Sequence, residues 1–182
     1  MILWHKKVEH PPGFVEKLEK QIISQHNSKS YFTTYTEKRF QSDPILDEEL
    51  DNHIKEFYRG VVTEMMKDVG IHGNLQYSIK DGSLRDAIWV QMYNSETSSH
   101  FIHDHHGCGS YVSWVHVLKA LPTQKKAFYF INSRGDKLYP TCQFTSQMFA
   151  FPSWALHGVE KVTDVGVNRI IVAGNIFFKA EQ

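Results

Sequence analysis

From about residue 74 onward the chain breaks into short apolar runs separated by Gly, Ser, Asn and Pro, and this rhythm limits the fold more than any other feature. The segments Leu75–Ile79, Ala87–Tyr93, Tyr111–Leu118, Ala127–Ile131, Gln147–Phe151 and Asn168–Phe178 read as strands. Weaker candidates lie at Cys142–Phe144 and around Glu160–Val162. Aromatic residues make up 13% of the chain, a content that favours a β-rich core. About eight strands of this length imply two sheets packed face to face, as a jelly roll or barrel.

The first third carries a different period. Phe14, Leu18 and Ile22 recur every four positions after the turn Pro11-Pro12-Gly13, which is the spacing of an amphipathic helix. A longer helix is expected after Asp43, with Asp43 as its amino-terminal cap and Pro44 in the first turn. Leu46, Leu50, Ile54, Phe57, Val61, Met65 and Val69 form its apolar stripe, and Gly70 is a natural stop. The expected fold class is therefore mainly β with N-terminal helices (α+β), the helices packed on one sheet. One domain is expected over residues 1–182, with a helical support region at 1–72 and a β core at 73–182.

Lys plus Arg equals Asp plus Glu, 20 against 20, so no basic excess points to nucleic acid or an anionic membrane. The two cysteines, Cys108 and Cys142, are too few for a disulfide framework. Met1-Ile2-Leu3-Trp4 is a short apolar run followed at once by His5-Lys6-Lys7, which does not make a secretory signal. No run approaches the roughly 20 apolar residues of a membrane span. A reducing cytoplasm is expected; oligomeric state is not legible, and a homodimer is allowed.

Chemistry concentrates in His100-Phe101-Ile102-His103-Asp104-His105-His106, where four histidines fall within one heptapeptide. Neutral imidazole suits iron, zinc, copper and nickel. Alternation lets His103 and His105 reach one ion from the same side of a strand. His157, far downstream near the end of the Gln147–Phe151 strand, is the expected third ligand. Three imidazoles on one face of an ion leave the opposite face open, as in catalytic rather than structural centres. Asp104 with His106, or His100 with Asp104, are alternative ligand pairs; His100 and His106 are otherwise expected to orient a ligand ring. His116, in mid-strand, is expected in the core or on the sheet surface.

Arg169 opens the last strand, and alternation puts it on one face with Ile171, Ala173 and Asn175. A guanidinium inside a β core requires an anion. That anion is either a neighbouring Asp164 or Glu160, or the carboxylate of a small molecule gripped bidentately.

Together these residues resemble the iron(II)/2-oxoglutarate-dependent oxygenases, whose core is a double-stranded β-helix, a cupin-like jelly roll. The likeness runs through His103-Asp104-His105 and Tyr111-Val112-Ser113-Trp114-Val115. It continues through Phe151-Pro152-Ser153-Trp154-Ala155-Leu156-His157-Gly158-Val159 to Arg169 and Asn175, covering roughly residues 85–178. The resemblance implies Fe(II) held by His103 and His157. It implies 2-oxoglutarate with its distal carboxylate on Arg169, and Ser113 and Asn175 beside the cosubstrate. The activity implied is oxidative decarboxylation to succinate coupled to hydroxylation of an unidentified substrate. Most of the family has a carboxylate where this chain has His105, so a three-His centre keeps the full double charge of ferrous iron. Many members also place Ser where this chain has Ile171, a lost hydroxyl that typically costs about 1 kcal/mol.

Two other readings compete. One is a cupin-like three-His metalloenzyme that uses no 2-oxoglutarate, with Arg169 on the substrate's own carboxylate. The other is a non-catalytic jelly-roll module whose Trp89, Met92, Tyr93, Trp114 and Trp154 line a ligand groove. Under either enzymatic reading, acid should release the metal as imidazoles protonate near pH ~6.5.

Overall fold

The computed structural model describes residues 1–25, 32–33, 46–71, 88–96 and 99–177. Helix α1 spans Phe14–Gln25 and buries Phe14, Leu18 and Ile22, as their spacing requires. Helix α2 spans Glu48–Asp68 and is capped by Asp47, whose carboxylate accepts from the Leu50 N–H at 2.9 Å. The cap is thus four residues later than the expected Asp43; Asp43 and Pro44 lie outside the described residues, as does the expected strand Leu75–Ile79. Gly70 ends the helix in the left-handed region at φ 72°. The buried stripe of α2 is Leu50, Ile54, Tyr58, Val62 and Met65. It is rotated from the expected one, because Tyr58 reaches inward to hydrogen-bond while Phe57 and Val61 are only half-buried.

Ten strands are described: β1 Trp4–Lys7, β2 Phe32–Thr33, β3 Ile88–Tyr93, β4 His100–His103, β5 Ser110–Lys119, β6 Phe128–Ile131, β7 Lys137–Leu138, β8 Gln147–Pro152, β9 His157–Val159 and β10 Arg169–Phe177. They form a six-stranded sheet, order β1-β8-β5-β10-β3-β2, and a four-stranded sheet, order β4-β9-β6-β7. Every described pairing is antiparallel. From β3 onward the pairings nest: β6 with β7, β5 with β8, β4 with β9 and β3 with β10. One long ribbon folded back on itself pairs early strands with late ones, so β4 lies beside β9 whatever the loops between them do.

Alternation sorts the side chains of the six-stranded sheet. Val90, Met92, Trp114, Ile170, Val172 and Ile176 face outward and pack with α1 and α2 in one apolar cluster. Trp89, Tyr93, Val115, Ile171 and Ala173 face inward and pack with Phe128, Phe130 and Phe151 in a second cluster between the sheets. Each cluster removes a large apolar area from water at roughly 25 cal/mol per Å².

Some elements differ from expectation for identifiable reasons. β1 is an edge strand on β8, with Lys6 and Lys7 exposed on the outer rim, a charged edge that resists further pairing. Cys142–Phe144 is not a strand. Instead, the Gln143 side chain acts as one, accepting from the Phe128 N–H at 2.6 Å and donating to its carbonyl at 2.7 Å. The strand expected around Glu160–Val162 lies three residues earlier, at His157–Val159. His116, expected in the core or on the sheet surface, is fully buried where β5 meets α2.

Candidate active site

His103 and His157 are cross-strand neighbours in the β4–β9 ladder. Neighbouring side chains on one face of an antiparallel pair point together, and the two rings sit 4.4 Å apart. A register shift interrupts this ladder between His100 and His103. Three residues apart, they would face opposite ways in an unbroken strand; one extra residue resets the alternation. Their rings consequently stack at 4.7 Å.

His105 joins them by a different route from the expected alternation. β4 ends at His103, and His105 heads the 3-10 turn His106–Cys108. Its backbone N–H donates to the Ser153 carbonyl at 2.8 Å, which ties the turn to the β8–β9 connection. The ring lies 5.0 Å from His103 and 5.1 Å from His157. One nitrogen from each of His103, His105 and His157 lies within 4.8 Å of the others, the spread one cation can bridge. The alternatives fare worse. Asp104 is exposed and spends a carboxylate oxygen on the His106 N–H at 2.9 Å, and His106 itself faces solvent.

The tautomers also suit a metal. His103 Nδ1 lies 2.9 Å from the Phe101 carbonyl and His157 Nδ1 lies 2.8 Å from the Ala155 carbonyl. A carbonyl can only accept, so each Nδ1 carries the proton and each Nε2 keeps its lone pair. Burial, with His103 alongside, lowers His157 to a pKa of about 3 and His105 to about 4. Protons therefore compete for these two rings near pH 4 and below, not near 6.5 as expected for free imidazole.

A cavity partly open to solvent lies against the three rings, with Gln91, Tyr93, Ser113, Phe128, Ile171 and Asn175 in its wall. No Asp or Glu lines it among the described residues. Ser113 donates to Asn175 at 2.7 Å, and the Asn175 amide nitrogen lies 3.4 Å from His105 Nδ1. No residue of the segment Asn132–Pro140 contributes to this wall.

Arg169 is fully buried at the Tyr93 end of the same inner face. Its guanidinium carbon lies 5.9 Å from the Tyr93 ring centroid. Nε, Nη1 and Nη2 find no hydrogen-bond partner among the described residues. Both acids considered as ion-pair partners are engaged elsewhere: Glu160 with Lys137 and Tyr139, Asp164 with Thr123 and Gln124. Burial lowers the Arg169 pKa to about 10, partly opposed by Tyr93.

Gln91, Ser110 and Ser153 belong to the site but received no role from the sequence. Gln91 had a usable signal, since it is the one polar residue in Ile88-Trp89-Val90-Gln91-Met92-Tyr93 and alternates with Trp89 and Tyr93. Its carbonyl oxygen accepts from the Tyr93 hydroxyl at 2.6 Å. Of the proposed groove residues, Trp89, Tyr93 and Trp114 line the cavity, Met92 faces the helices and Trp154 is exposed.

No family model and no curated protein matches this chain. Solved structures do. A viral collagen prolyl hydroxylase from Paramecium bursaria Chlorella virus-1, solved as a 2OG complex, matches over 97% of this chain and 97% of its own, at 12% identity and TM-score 0.56. AviO1 from Streptomyces viridochromogenes Tue57 matches over 97% and 89%, at 9% identity and TM-score 0.64. An oxidoreductase of the 2OG-Fe(II) oxygenase family from Burkholderia pseudomallei matches over 90% and 77%, at 11% identity and TM-score 0.56. At these identities the likeness is one of fold.

Proposed function

We propose that this chain is an iron(II)/2-oxoglutarate-dependent dioxygenase that hydroxylates a substrate still to be identified. The nested ribbon is read as the double-stranded β-helix of that family, carried by a single domain over residues 1–182 in a reducing cytoplasm. The observation that carries the proposal is the pairing of His103, His105 and His157 around one point with a buried guanidinium that has no partner among the described residues.

These residues fit the cofactor and cosubstrate. His103, His105 and His157 would hold Fe(II), which with 2-oxoglutarate supplies oxidation of an unactivated C–H bond by oxygen. Arg169 would pair with the distal carboxylate, and Ser113 and Asn175 lie in the cavity wall beside the cosubstrate. Three neutral ligands and a divalent cation carry a charge of +2, no acid lines the cavity among the described residues, and Arg169, behind the wall at its Tyr93 end, adds a further positive charge. A dianion is the natural complement, because an unpaired buried charge is costly in a low dielectric. The protein's own contribution is to fix the rings, exclude water around Phe128 and Phe151, and present a fixed cation to one end of the cosubstrate.

A three-His centre without a keto acid is the competing reading, favoured by the absence of a carboxylate from the cluster among the described residues. Anaerobic addition of 2-oxoglutarate to the Fe(II)-loaded protein decides between them. A visible charge-transfer band, lost in Arg169→Ala, is expected. An Fe(II) complex whose spectrum ignores 2-oxoglutarate overturns the proposal.

A further inference from the structure

The three imidazoles differ in what holds their second nitrogen. In His103 and His157 it is a backbone carbonyl, which leaves Nδ1 no choice but to donate. In His105 it is the side-chain amide of Asn175, with its nitrogen 3.4 Å from Nδ1. An amide donates from one edge and accepts at the other, and a half-turn about its last bond exchanges the two with the heavy atoms almost unmoved. Through this contact the proton position on His105 is coupled to the orientation of Asn175.

That orientation is set by a buried chain of hydroxyls. Ser113 Oγ lies 2.7 Å from Asn175 Oδ1 and 2.9 Å from Ser153 Oγ. Ser153 Oγ lies 2.6 Å from Ser110 Oγ, which also reaches the Val112 carbonyl at 3.3 Å and the Ile176 carbonyl at 3.4 Å. All four residues are buried, so each hydroxyl proton has to be spent inside the chain.

Two directions satisfy every group. In one, Ser110 donates to Ser153, Ser153 to Ser113, Ser113 to Asn175 Oδ1, and the amide N–H to His105 Nδ1, which places the imidazole proton on Nε2. In the other, His105 Nδ1–H donates to Oδ1, the amide N–H to Ser113, Ser113 to Ser153, and Ser153 to Ser110. Ser110 then donates to the Val112 or Ile176 carbonyl. Only the second keeps the proton off Nε2. Switching rotates hydroxyls and one amide and moves a proton from Nε2 to Nδ1 through solvent, with no net proton gained or lost.

We propose that Asn175, aligned by Ser110, Ser153 and Ser113, is a positioning residue that reverses its amide on divalent-cation binding and holds His105 in the Nδ1–H form. This rests on the three-His reading above. Such control is needed at His105 alone, because backbone carbonyls already fix the protons of His103 and His157. Ser153 serves His105 twice, through its carbonyl on the backbone N–H and its hydroxyl in the chain.

The test uses the full chain, 15N-labelled, titrated with Zn(II) and followed by long-range 1H–15N spectra of the imidazoles. His105 is expected to change from the Nε2–H to the Nδ1–H form, while His103 and His157 stay Nδ1–H. Asn175→Leu removes the acceptor and should weaken Zn(II) binding by about 10- to 100-fold. Asn175→Asp supplies an obligate acceptor and should bind near the native affinity with His105 already Nδ1–H. An unchanged His105 tautomer, or Asn175→Asp binding as weakly as Asn175→Leu, overturns the proposal. If Asn175→Leu does not fold, Ser113→Ala carries the test, since it removes one hydroxyl and should leave His105 a mixture of tautomers. Native Zn(II) affinity in His105→Ala would sink the three-His reading together with this proposal. Loss in His105→Ala without loss in Asn175→Leu would sink the positioning role alone.

Discussion

Replacing Arg169 by Met should stabilise the metal-free protein while removing its response to dicarboxylates. The guanidinium is fully buried, and its three nitrogens lack partners among the described residues. Burial lowers its pKa from 12.5 to about 10, so the charged form is disfavoured by about 3 kcal/mol at 1.36 kcal/mol per pH unit. Methionine keeps most of the aliphatic stem, so imperfect repacking costs about 1 kcal/mol. The lost contact with the Tyr93 ring costs up to about 1 kcal/mol more. The net expectation is a gain of about 1–2 kcal/mol, or roughly 2–8 °C in Tm for a chain of this size. Thermal unfolding followed by circular dichroism measures this directly. In Zn(II)-loaded protein, adding 2-oxoglutarate should raise the native Tm further, the gain in stability being about 2.7 kcal/mol at a 2-oxoglutarate concentration 100 times Kd. The variant should show no such rise. A variant that unfolds earlier than the native protein and still responds to 2-oxoglutarate would mean that Arg169 is a structural residue, and the dianion argument would fail with it.

Three further outcomes are expected. His157→Ala should abolish high-affinity Zn(II) binding measured by calorimetry, and His103→Ala should do so with less effect on folding, since His103 is only half-buried while His157 packs against Phe128 and Phe151. Gly158→Ala should destabilise by about 1–3 kcal/mol and weaken metal binding, because a Cβ there would lie 2.6 Å from the Tyr129 hydroxyl and 3.1 Å from the His100 carbonyl, prising β4 from β9; an unchanged Tm would refute the close approach. Stability should also fall in acid through His116, whose pKa burial lowers from 6.5 to about 4. The unfolded chain then binds the extra proton between pH 6.5 and 4, so the stability present above pH 6.5 drops by about 3 kcal/mol by pH 4. A His116→Gln variant should flatten that dependence in urea titrations.

The helix periods, most of the long strands and the identity of the three imidazoles are written in the sequence itself. Spacing of apolar residues is a local property, and a polar or basic residue in an apolar run, such as Arg169, announces itself without coordinates. The sequence could not tell which acid, if either, would meet that guanidinium, because Glu160 and Asp164 both lie within ten residues of it in the chain. Only the folded positions of Lys137, Tyr139, Thr123 and Gln124 show both to be engaged elsewhere. β1 was hidden for a similar reason, since a short charged edge strand has no alternation and exists only because β8 offers it a partner.

The site divides along the same line. That His103 and His157 could share an ion was legible from residue type, yet their meeting depends on the β4–β9 pairing, a contact between residues far apart in the chain. A register shift and a turn, not simple alternation, bring His100 and His105 to the same place. The hydroxyl chain from Ser110 to Asn175 was not legible at all. Its members come from β5, β10 and the turn after β8, and a hydrogen bond of this kind is decided by ångström distances that no one-dimensional pattern records. Local chemistry is a property of the sequence, whereas convergence is a property of the tertiary structure, because only packing of the two sheets brings distant side chains within bonding range.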